Sequence, residues 1–132
     1  MKANAERVGN EGFKHTVSVR RHKLTVDEKE EDGGSDRGPT PQEMLAVSLA
    51  SCTAITIEMY AKRKGWDIGD VAVDVNYEPA QRGSPTKFKM VTHLPKELPD
   101  DQRERLSQIA AKCPVHRTLE GEVMFDEAVE LS

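Results

Sequence analysis

The stretch from Thr40 to Gly65, TPQEMLAVSLASCTAITIEMYAKRKG, predicts one long helix, and the rest of the fold is arranged around it. Its first four residues have the form of a capping box, with Pro41 at the first helical position, where no amide donor is needed. Gly65 is a natural C-terminal stop, and the three basic residues before it suit the negative end of the helix dipole. The first half is apolar on most faces, so we expect a central helix covered by strands or by a partner chain.

Strands are predicted on both sides of this helix, and hairpin signals favour an antiparallel α+β fold. Alternation over residues 13–26 predicts a hairpin or two short strands. Residues 27–38 are charged and glycine-rich, so we expect them to form an exposed and mobile loop. Alternation over residues 71–77 and again over 88–94 predicts a second hairpin, with its turn at 79–85.

A second helix and a last strand are predicted in the remaining third of the chain. The helix begins near Pro99 and Asp100, and Pro114 marks its end. Four residues at spacings of i, i+3, i+4 and i+7 give it one apolar face: Leu106, Ile109, Ala110 and Cys113. The last strand is predicted from a final alternating set: Val123, Phe125, Val129 and Leu131.

The bulk composition predicts a single domain over residues 1–132 and argues against nucleic acid as a partner. The net charge is −4, and basic residues are mixed with acidic ones rather than gathered in a patch. Hydrophobic residues make up only 36% of the chain. A domain of this size buries roughly two-thirds of its unfolded surface, so a core shared with a second copy would help, and we expect a homodimer.

The chain has two cysteines, Cys52 and Cys113, and the cellular compartment of the protein determines whether they would form a static disulfide. The N-terminus has no apolar segment of signal-peptide length, and the stretch from Met44 to Met59 is too short and polar to span a bilayer. We therefore expect a cytoplasmic protein that has no membrane partner. A static disulfide is rare there, which leaves buried inert thiols, metal ligands or redox groups.

The inert interpretation has to be weighed first, because free cysteine often packs as a small hydrophobe. Two features favour a working pair. Both cysteines lie on helix faces expected to point at the same core, and small or polar neighbours leave room for access. A metal site is not expected: Cys113 and His116 have a C-x-x-H spacing, but nothing in the sequence pairs them with the further ligands that zinc requires.

Two segments resemble the signatures of the OsmC/Ohr family. The first, GGSDRGPTPQEMLAVSLASCTAITIEMYAKRKGW over residues 33–66, is similar to a glycine-rich loop followed by a long central helix that carries a cysteine among small residues. The second, LSQIAAKCPVHRTL over residues 106–119, resembles a second long helix that ends in a Cys-Pro pair. The resemblance runs from about Lys14 to Leu131, and the two motifs occur in matching order and separation.

The resemblance implies an antiparallel sheet packed on the long central helix, in an intertwined homodimer with two sites at its interface. It implies a peroxidase that reduces organic hydroperoxides in oxidative or osmotic stress defence. Cys52 would be the peroxidatic thiol and Cys113 the resolving one. The reductant would be an external dithiol such as a lipoyl group, with no bound cofactor or metal.

The sequence departs from the family pattern at the groups that would activate Cys52. Gln42 stands at the position usual for a glutamate, while Glu43 completes the capping box. The activating arginine stays open among three candidates: Arg20, Arg21 and Arg37. A non-catalytic protein that binds a small apolar or acyl ligand at the dimer interface is therefore the alternative, and a thiol redox sensor with a protein partner is a third possibility.

Overall fold

Three strands precede the long helix and form one antiparallel sheet in the order β1-β2-β3. The computed structural model describes residues 1–131, and the chain divides within the long helix into two units, Met1–Val47 and a second from Ser48 onward. The α+β class with antiparallel pairing is confirmed. A single domain over residues 1–132 stays a prediction.

The sheet of the first unit contains the predicted hairpin and one strand that was not predicted. Strands β2 (His15–Val19) and β3 (His22–Val26) form the hairpin. Strand β1 (Ala3–Arg7) pairs with β2 and is exposed throughout. Its sequence, ANAER, has no apolar residue larger than alanine, so no alternation announces it. β1 is a strand because its backbone pairs with that of β2, and the side chains of β1 give no sign of this pairing.

The loop over residues 27–38 is folded around a buried carboxylate, so the prediction of an exposed, mobile loop was wrong at its first residue. Asp27 is only 1% exposed, and a short 3₁₀ turn, Glu30–Asp32, follows it. The Asp27 carboxylate accepts four backbone N–H bonds: from Phe13 at 3.0 Å, Glu28 at 2.7 Å, Ser35 at 3.2 Å and Arg37 at 3.1 Å. Gly34 has no room for a side chain, because a Cβ there would overlap the Glu28 carbonyl.

Helix α1 (Pro41–Lys64) begins and ends as its sequence predicts. The Glu43 amide donates to Thr40 Oγ1 at 3.1 Å, and the Thr40 amide donates to Glu43 Oε1 at 2.8 Å, which completes the capping box. At the other end Gly65 has a left-handed backbone, with φ of 71°. Its amide donates to the Lys62 carbonyl and the Trp66 amide to the Ala61 carbonyl, a Schellman motif.

Burial along α1 is confined to one stripe, so the expectation of burial on most faces is not met within a single chain. The stripe has the four-residue spacing of one helix face: Leu49, Thr53, Ile57 and Ala61. Three apolar residues away from it are more than half exposed: Val47, Ile55 and Met59. The helix is also long and apolar enough to cross a membrane by length and composition, a property that core helices of soluble proteins share.

The second unit contains the second predicted hairpin, strands β4 (Ala72–Glu78) and β5 (Lys87–His93), and two helices. Helix α2 (Asp100–Ala110) is amphipathic and ends before the cysteine that we predicted on its apolar face. Leu106 of α2 is fully buried in a cluster with Ile57 and Ala61 of α1. Trp66 packs against this cluster, with its ring 5.8 Å from that of Tyr60.

The segment after α2 corrects two predictions. Pro114 does not end a helix but opens helix α3 (Pro114–Glu120), because proline fits the first helical position, where its missing N–H is not needed. Cys113 is the N-cap of α3. The strand predicted over residues 123–131 is absent from the described chain; Phe125 is 80% and Leu131 98% exposed. An extended segment without a neighbouring strand has no ladder to join.

Candidate thiol site

The two cysteines lie close together within the second unit, although Cys113 is not on the helix face where it was predicted. Cys52 lies midway along α1, and Cys113 lies at the start of α3. Both are free thiols, and they are close enough to share a hydrogen bond in which the Cys52 thiol donates to the Cys113 sulfur. Cys113 is completely buried, whereas Cys52 is partly exposed. Cys52 is therefore the more accessible of the two residues.

Cys113 is surrounded by hydrogen-bond donors. Its sulfur accepts the His116 amide at 3.4 Å, which caps the first turn of α3. Burial acts to raise the pKa of Cys113, but the Cys52 thiol and the His116 amide, helped by the nearby Thr53 hydroxyl and Val115 amide, outweigh burial. The pKa of Cys113 is therefore lowered below its ordinary value, and the pair first ionises at this sulfur.

Cys52 has the opposite electrostatic setting. Burial raises the pKa of its thiol, and the hydrogen bond that it donates to Cys113 raises it further. The Val115 amide and the Thr56 hydroxyl offset this only in part. Apart from the other thiol, the groups that act most strongly on the pKa of either cysteine are uncharged. The reduced pair thus holds its negative charge on the buried sulfur and its proton on the accessible one.

Thr53 and His116 border the thiol pair, and each has a buried polar atom that lacks a hydrogen bond of good geometry among residues 1–131. These atoms are Thr53 Oγ1 and His116 Nδ1. The Thr53 hydroxyl is nevertheless near enough to the Cys113 sulfur to help lower the pKa of that thiol. The other ring nitrogen of His116, Nε2, lies 2.8 Å from Glu120 Oε1 one turn further along α3. The site therefore has hydrogen-bonding capacity that the chain itself does not use.

Sequence reasoning missed the part that Thr53 plays, although the signal was present. Residue 53 is adjacent to Cys52 and would be turned away from it by about 100° on a helix. It also lies four residues from both Leu49 and Ile57, which places it on the buried stripe of α1. His116, which the sequence singled out only by its C-x-x-H spacing with Cys113, borders the site from the first turn of α3.

The three arginines proposed to activate Cys52 all lie in the first unit. Arg37 is bound to Glu11, with Nε and Nη2 at 2.7 and 2.6 Å from the same carboxylate oxygen. Arg20 and Arg21 form the two-residue turn of the hairpin between β2 and β3, and both are exposed. Gln42 is exposed on the first turn of α1.

Acidic, histidine and cysteine side chains do not gather elsewhere in a way that suits a metal ion. Within residues 1–131 no group of three or more such side chains is placed to hold one. Cys113 and His116 are neighbours across one turn, but the remaining ligands of a tetrahedral zinc site are not beside them. The chemistry that the described residues support is that of the sulfur pair and its hydrogen-bond donors.

The chain is an antiparallel α+β protein that brings two free thiols together in its second unit, and comparison with known families shows which family it belongs to. Residues 33–128 match the OsmC-like protein family. The chain belongs to this family, which includes hydroperoxide resistance proteins. A relative from Haloferax volcanii, an uncharacterized protein, is 25% identical over 124 residues, which cover 92% of this chain and 90% of the relative.

Solved structures share the fold. The OsmC-like protein from Mycoplasma pneumoniae superposes with a TM-score of 0.69 at 20% identity, covering 91% of this chain and 86% of that one. The organic hydroperoxide resistance protein OhrB of Bacillus subtilis gives a TM-score of 0.61 at 18% identity, covering 91% and 90%. At these identities the likeness establishes the fold. The antiparallel sheets and the long helix are therefore those of OsmC-fold proteins.

Proposed function

We propose that this chain is a thiol-dependent peroxidase that reduces organic hydroperoxides through Cys52 and Cys113, with an external dithiol such as a lipoyl group as reductant. The observation that carries the proposal is that the two free thiols lie close enough within one unit for each to shift the pKa of the other. The partly exposed Cys52 is the better candidate for attack on a peroxide, and the buried Cys113 for resolution. Hydroperoxide resistance among family members supports the substrate class.

The chemistry balances with the groups that the pair supplies. The proton shared by the two sulfurs passes from Cys52 to Cys113, and the Cys52 thiolate attacks the terminal oxygen of the hydroperoxide. The O–O bond breaks, and the alkoxide takes a proton from solvent and leaves as an alcohol. Cys52 has then lost two electrons and is a sulfenic acid. Cys113 attacks the Cys52 sulfur, a disulfide forms, and the hydroxyl group leaves as water. The external dithiol reduces the disulfide by exchange and is itself oxidised.

The homodimer belongs to the same proposal, since members of the family are dimeric. The uncovered side of α1 presents Val47, Ile55 and Met59 to solvent, although apolar helix faces normally pack against something. The alternating segment after α3 is exposed as well. A second copy would cover both surfaces. Proteins of this family are soluble, and we expect this one to be cytoplasmic, where external dithiols are kept reduced.

The test is turnover of cumene hydroperoxide or tert-butyl hydroperoxide with dihydrolipoamide as reductant. Cys52→Ser should abolish it, because a hydroxyl cannot replace a thiolate as the nucleophile. Cys113→Ser is the informative partner: it should still consume one equivalent of hydroperoxide and accumulate a sulfenic acid on Cys52. Turnover by Cys52→Ser at the parent rate would refute the assignment of the peroxidatic thiol.

A second candidate, a non-catalytic binding protein for a small apolar or acyl ligand, is favoured by one observation in the first unit. A cavity of about 300 Å³ lies there, and most of its exposed lining is apolar. Its walls are contributed by the sheet and by the start of α1: Ala5, Phe13, His15, Val26, Asp27, Glu28 and Pro41. This volume is at the lower end of those that hold small ligands.

Exposure of the reduced protein to one equivalent of hydroperoxide discriminates between the two functions. If both thiols remain titratable after unfolding while a fatty acid displaces a fluorescent apolar probe, the binding function is supported and the peroxidase is not. Rapid loss of both thiols without probe binding favours the peroxidase. Slow stoichiometric oxidation that small dithiols fail to reverse would instead support the redox-sensor possibility.

A further inference from the structure

Three cations gather around the ring of Tyr60, near the end of α1. Their charged groups lie close to the ring centre, with Arg105 Cζ at 5.4 Å, Lys64 Nζ at 5.7 Å and Arg63 Cζ at 5.9 Å. Arg105 comes from α2, and its Nε also donates to the Tyr60 hydroxyl at 2.9 Å. Trp66 packs edge-on against the same ring, and both rings pack on the core, so Tyr60 has a fixed position. The Tyr60 cluster consists of Tyr60, Arg63, Lys64 and Arg105.

The positive charge of the Tyr60 cluster is not neutralised by the described chain. Among residues 1–131 its three cations form no ion pair with a carboxylate, and the other side-chain partner of Arg105 is the neutral Gln108, at 3.1 Å. The negative end of the α1 dipole favours Arg63 and Lys64, but Arg105 lies in the middle of α2. The pKa of Tyr60 is lowered, first by the Arg105 hydrogen bond and then, against the opposing effect of burial, by the charges of all three cations. A local positive field therefore lies on a chain whose net charge is −4.

The Tyr60 cluster lies on the same stripe of α1 as the more accessible cysteine. Cys52, Thr56 and Tyr60 follow one another at four-residue spacing, which places them on one side of the helix. All three are half-buried, so the stripe is partly open along its length. Eight residues of helix put Tyr60 about 12 Å beyond Cys52 along the axis. A partner bound at the cluster would therefore hold its reactive group near that sulfur.

The chemistry of the cluster fits a protein surface that carries several carboxylates. Its three cations are exposed and come from two helices, and exposed cations act weakly in single ion pairs. Grouped together, they steer an acidic protein face toward the surface and orient it there. Hydroperoxides such as cumene hydroperoxide are uncharged and gain nothing from this field. Among the reactants of the proposed function, the dithiol is the one that a protein can carry.

We propose that the Tyr60 cluster is the docking surface for an acidic face of the protein that carries the reducing dithiol. This inference rests on the proposed function and names the kind of partner that its last step requires. A lipoyl group on a lysine side chain is a long arm that ends in two sulfurs, and such an arm spans the distance from the cluster to Cys52.

The exchange step balances with a dithiol docked in this way. One of its thiolates attacks the Cys52 sulfur of the oxidised pair, and Cys113 leaves with the electron pair of the S–S bond. The lowered pKa of Cys113 makes it the better leaving group of the two. The second thiol of the carrier then attacks the mixed disulfide and releases Cys52. The carrier departs as a disulfide, having given two electrons and two protons to the pair.

The test compares two peptides of equal length with a central dihydrolipoyl-lysine, flanked by glutamates in one and by glutamines in the other. The protein is first oxidised with diamide, which forms the Cys52–Cys113 disulfide without a peroxide, and the return of free thiols is followed. Each rate is normalised to that of the same peptide with neutral hydroxyethyl disulfide. At low salt the glutamate-flanked peptide should react about tenfold faster, the lower end of what steering supplies. The advantage should vanish at about 1 M salt, where the Debye length is about 3 Å.

A variant without the three cations should lose this advantage, while its reduction by uncharged dihydrolipoamide stays at the parent rate. The variant combines Arg63→Gln, Lys64→Gln and Arg105→Gln. A matched control removes three exposed cations elsewhere in the second unit and should keep the advantage, because it changes the net charge equally. It combines Arg82→Gln, Lys87→Gln and Lys96→Gln.

A charge-reversed variant keeps the contact between the two helices and tests the same surface independently. Arg63→Glu with Lys64→Glu retains Arg105 and its bond to Tyr60, so this variant should fold even if the triple variant does not. It should react faster with a lysine-flanked dihydrolipoyl peptide than with the glutamate-flanked one. An unchanged preference for glutamates would overturn the inference.

The remaining outcomes separate this inference from the proposed function. Equal rates for the two peptides on the parent protein would overturn the docking surface, and so would an advantage that the control variant also loses. Hydroperoxide turnover with dihydrolipoamide, but no preference between the peptides, refutes the docking surface alone. A preference for the acidic peptide in a protein that ignores hydroperoxide refutes the proposed peroxidase and leaves the docking surface standing. A protein in which diamide forms no Cys52–Cys113 disulfide would refute both.

Discussion

Asp27 in the first unit and the Cys52–Cys113 pair in the second are both acidic groups enclosed by hydrogen-bond donors, and they differ in how completely the chain satisfies them. The Asp27 carboxylate accepts four backbone N–H groups. The thiol pair has donors too, but it is bordered by two buried polar atoms without partners, Thr53 Oγ1 and His116 Nδ1.

The difference separates a structural group from a reactive one. A fully satisfied buried network rigidifies the segments that donate to it, which is what Asp27 does for the loop over residues 27–38. An incompletely satisfied network keeps capacity for protons or for a polar substrate, at a cost in stability. Substitutions in the two regions should therefore move stability and reactivity in different combinations.

Asp27→Asn should produce the largest loss of stability. An amide offers one acceptor oxygen, and its NH₂ group would face backbone donors that the carboxylate now accepts. We expect the melting temperature at pH 7 to fall by about 5–10 °C, measured by circular dichroism. Asp36→Asn, an exposed residue of the same loop, is the matched control and should melt like the parent. Equal melting temperatures for both variants would mean that Asp27 is not what organises the loop.

The same residue gives a pH signature. Burial acts to raise the pKa of Asp27, but the backbone donors Glu28, Arg37, Phe13 and Ser35 outweigh it and hold the pKa below 3.8. A carboxyl with a lowered pKa stabilises the fold above its ordinary pKa, and this contribution is lost as the pH falls through the lowered value. The parent should therefore lose stability below about pH 4 more steeply than Asp27→Asn.

Thr40→Ala should have a smaller effect on stability. It tests the capping box, a second group of the first unit whose hydrogen bonds are made within the chain. The substitution removes the hydroxyl that accepts the Glu43 amide and should cost about 1 kcal/mol of unfolding free energy, measured by urea denaturation. Gln42→Ala, on the same turn but exposed, should leave the unfolding free energy unchanged. A cost for Gln42→Ala that matched or exceeded that of Thr40→Ala would show that the first turn depends on another contact.

Thr53→Val should have the smallest effect on stability and the opposite sign. It replaces a buried hydroxyl that lacks a good partner, so unfolding free energy should stay constant or rise by up to about 1 kcal/mol. Loss of the hydroxyl also removes one group that lowers the pKa of Cys113, so iodoacetamide alkylation of the pair should slow about threefold. Thr25→Val, on an exposed strand position, should change neither. A fall in the unfolding free energy of Thr53→Val would mean that the Thr53 hydroxyl makes a stabilising hydrogen bond, which contradicts the prediction.

Short sequence patterns predicted those elements that depend on contacts between residues close together in the chain. The capping box at Thr40, the stop at Gly65 and the two hairpins depend on residues within a few positions of one another, and the structure contains all of them. That Cys52 and Cys113 would lie close together was also predicted, but the helix face on which Cys113 was placed was wrong, because Cys113 is the N-cap of α3.

The errors arose where no short sequence pattern decides the outcome. Asp27 was placed in a mobile loop because its donors come from residues 13 to 37, and no short pattern shows that they converge. Pro114 was assigned to the end of a helix, although proline equally begins one, and only the turn at Ala111 and Lys112 decides between them. The last strand was predicted from alternation alone, and a strand also needs a neighbour.

The central claim is that Cys52 and Cys113 form a working redox couple, and its most direct test is the mass of the protein after one equivalent of cumene hydroperoxide. The account predicts the loss of two hydrogen atoms per chain, with a Cys52–Cys113 disulfide found by peptide mapping and reversed by dihydrolipoamide. Two free thiols after that exposure, in protein that is otherwise folded, would contradict it.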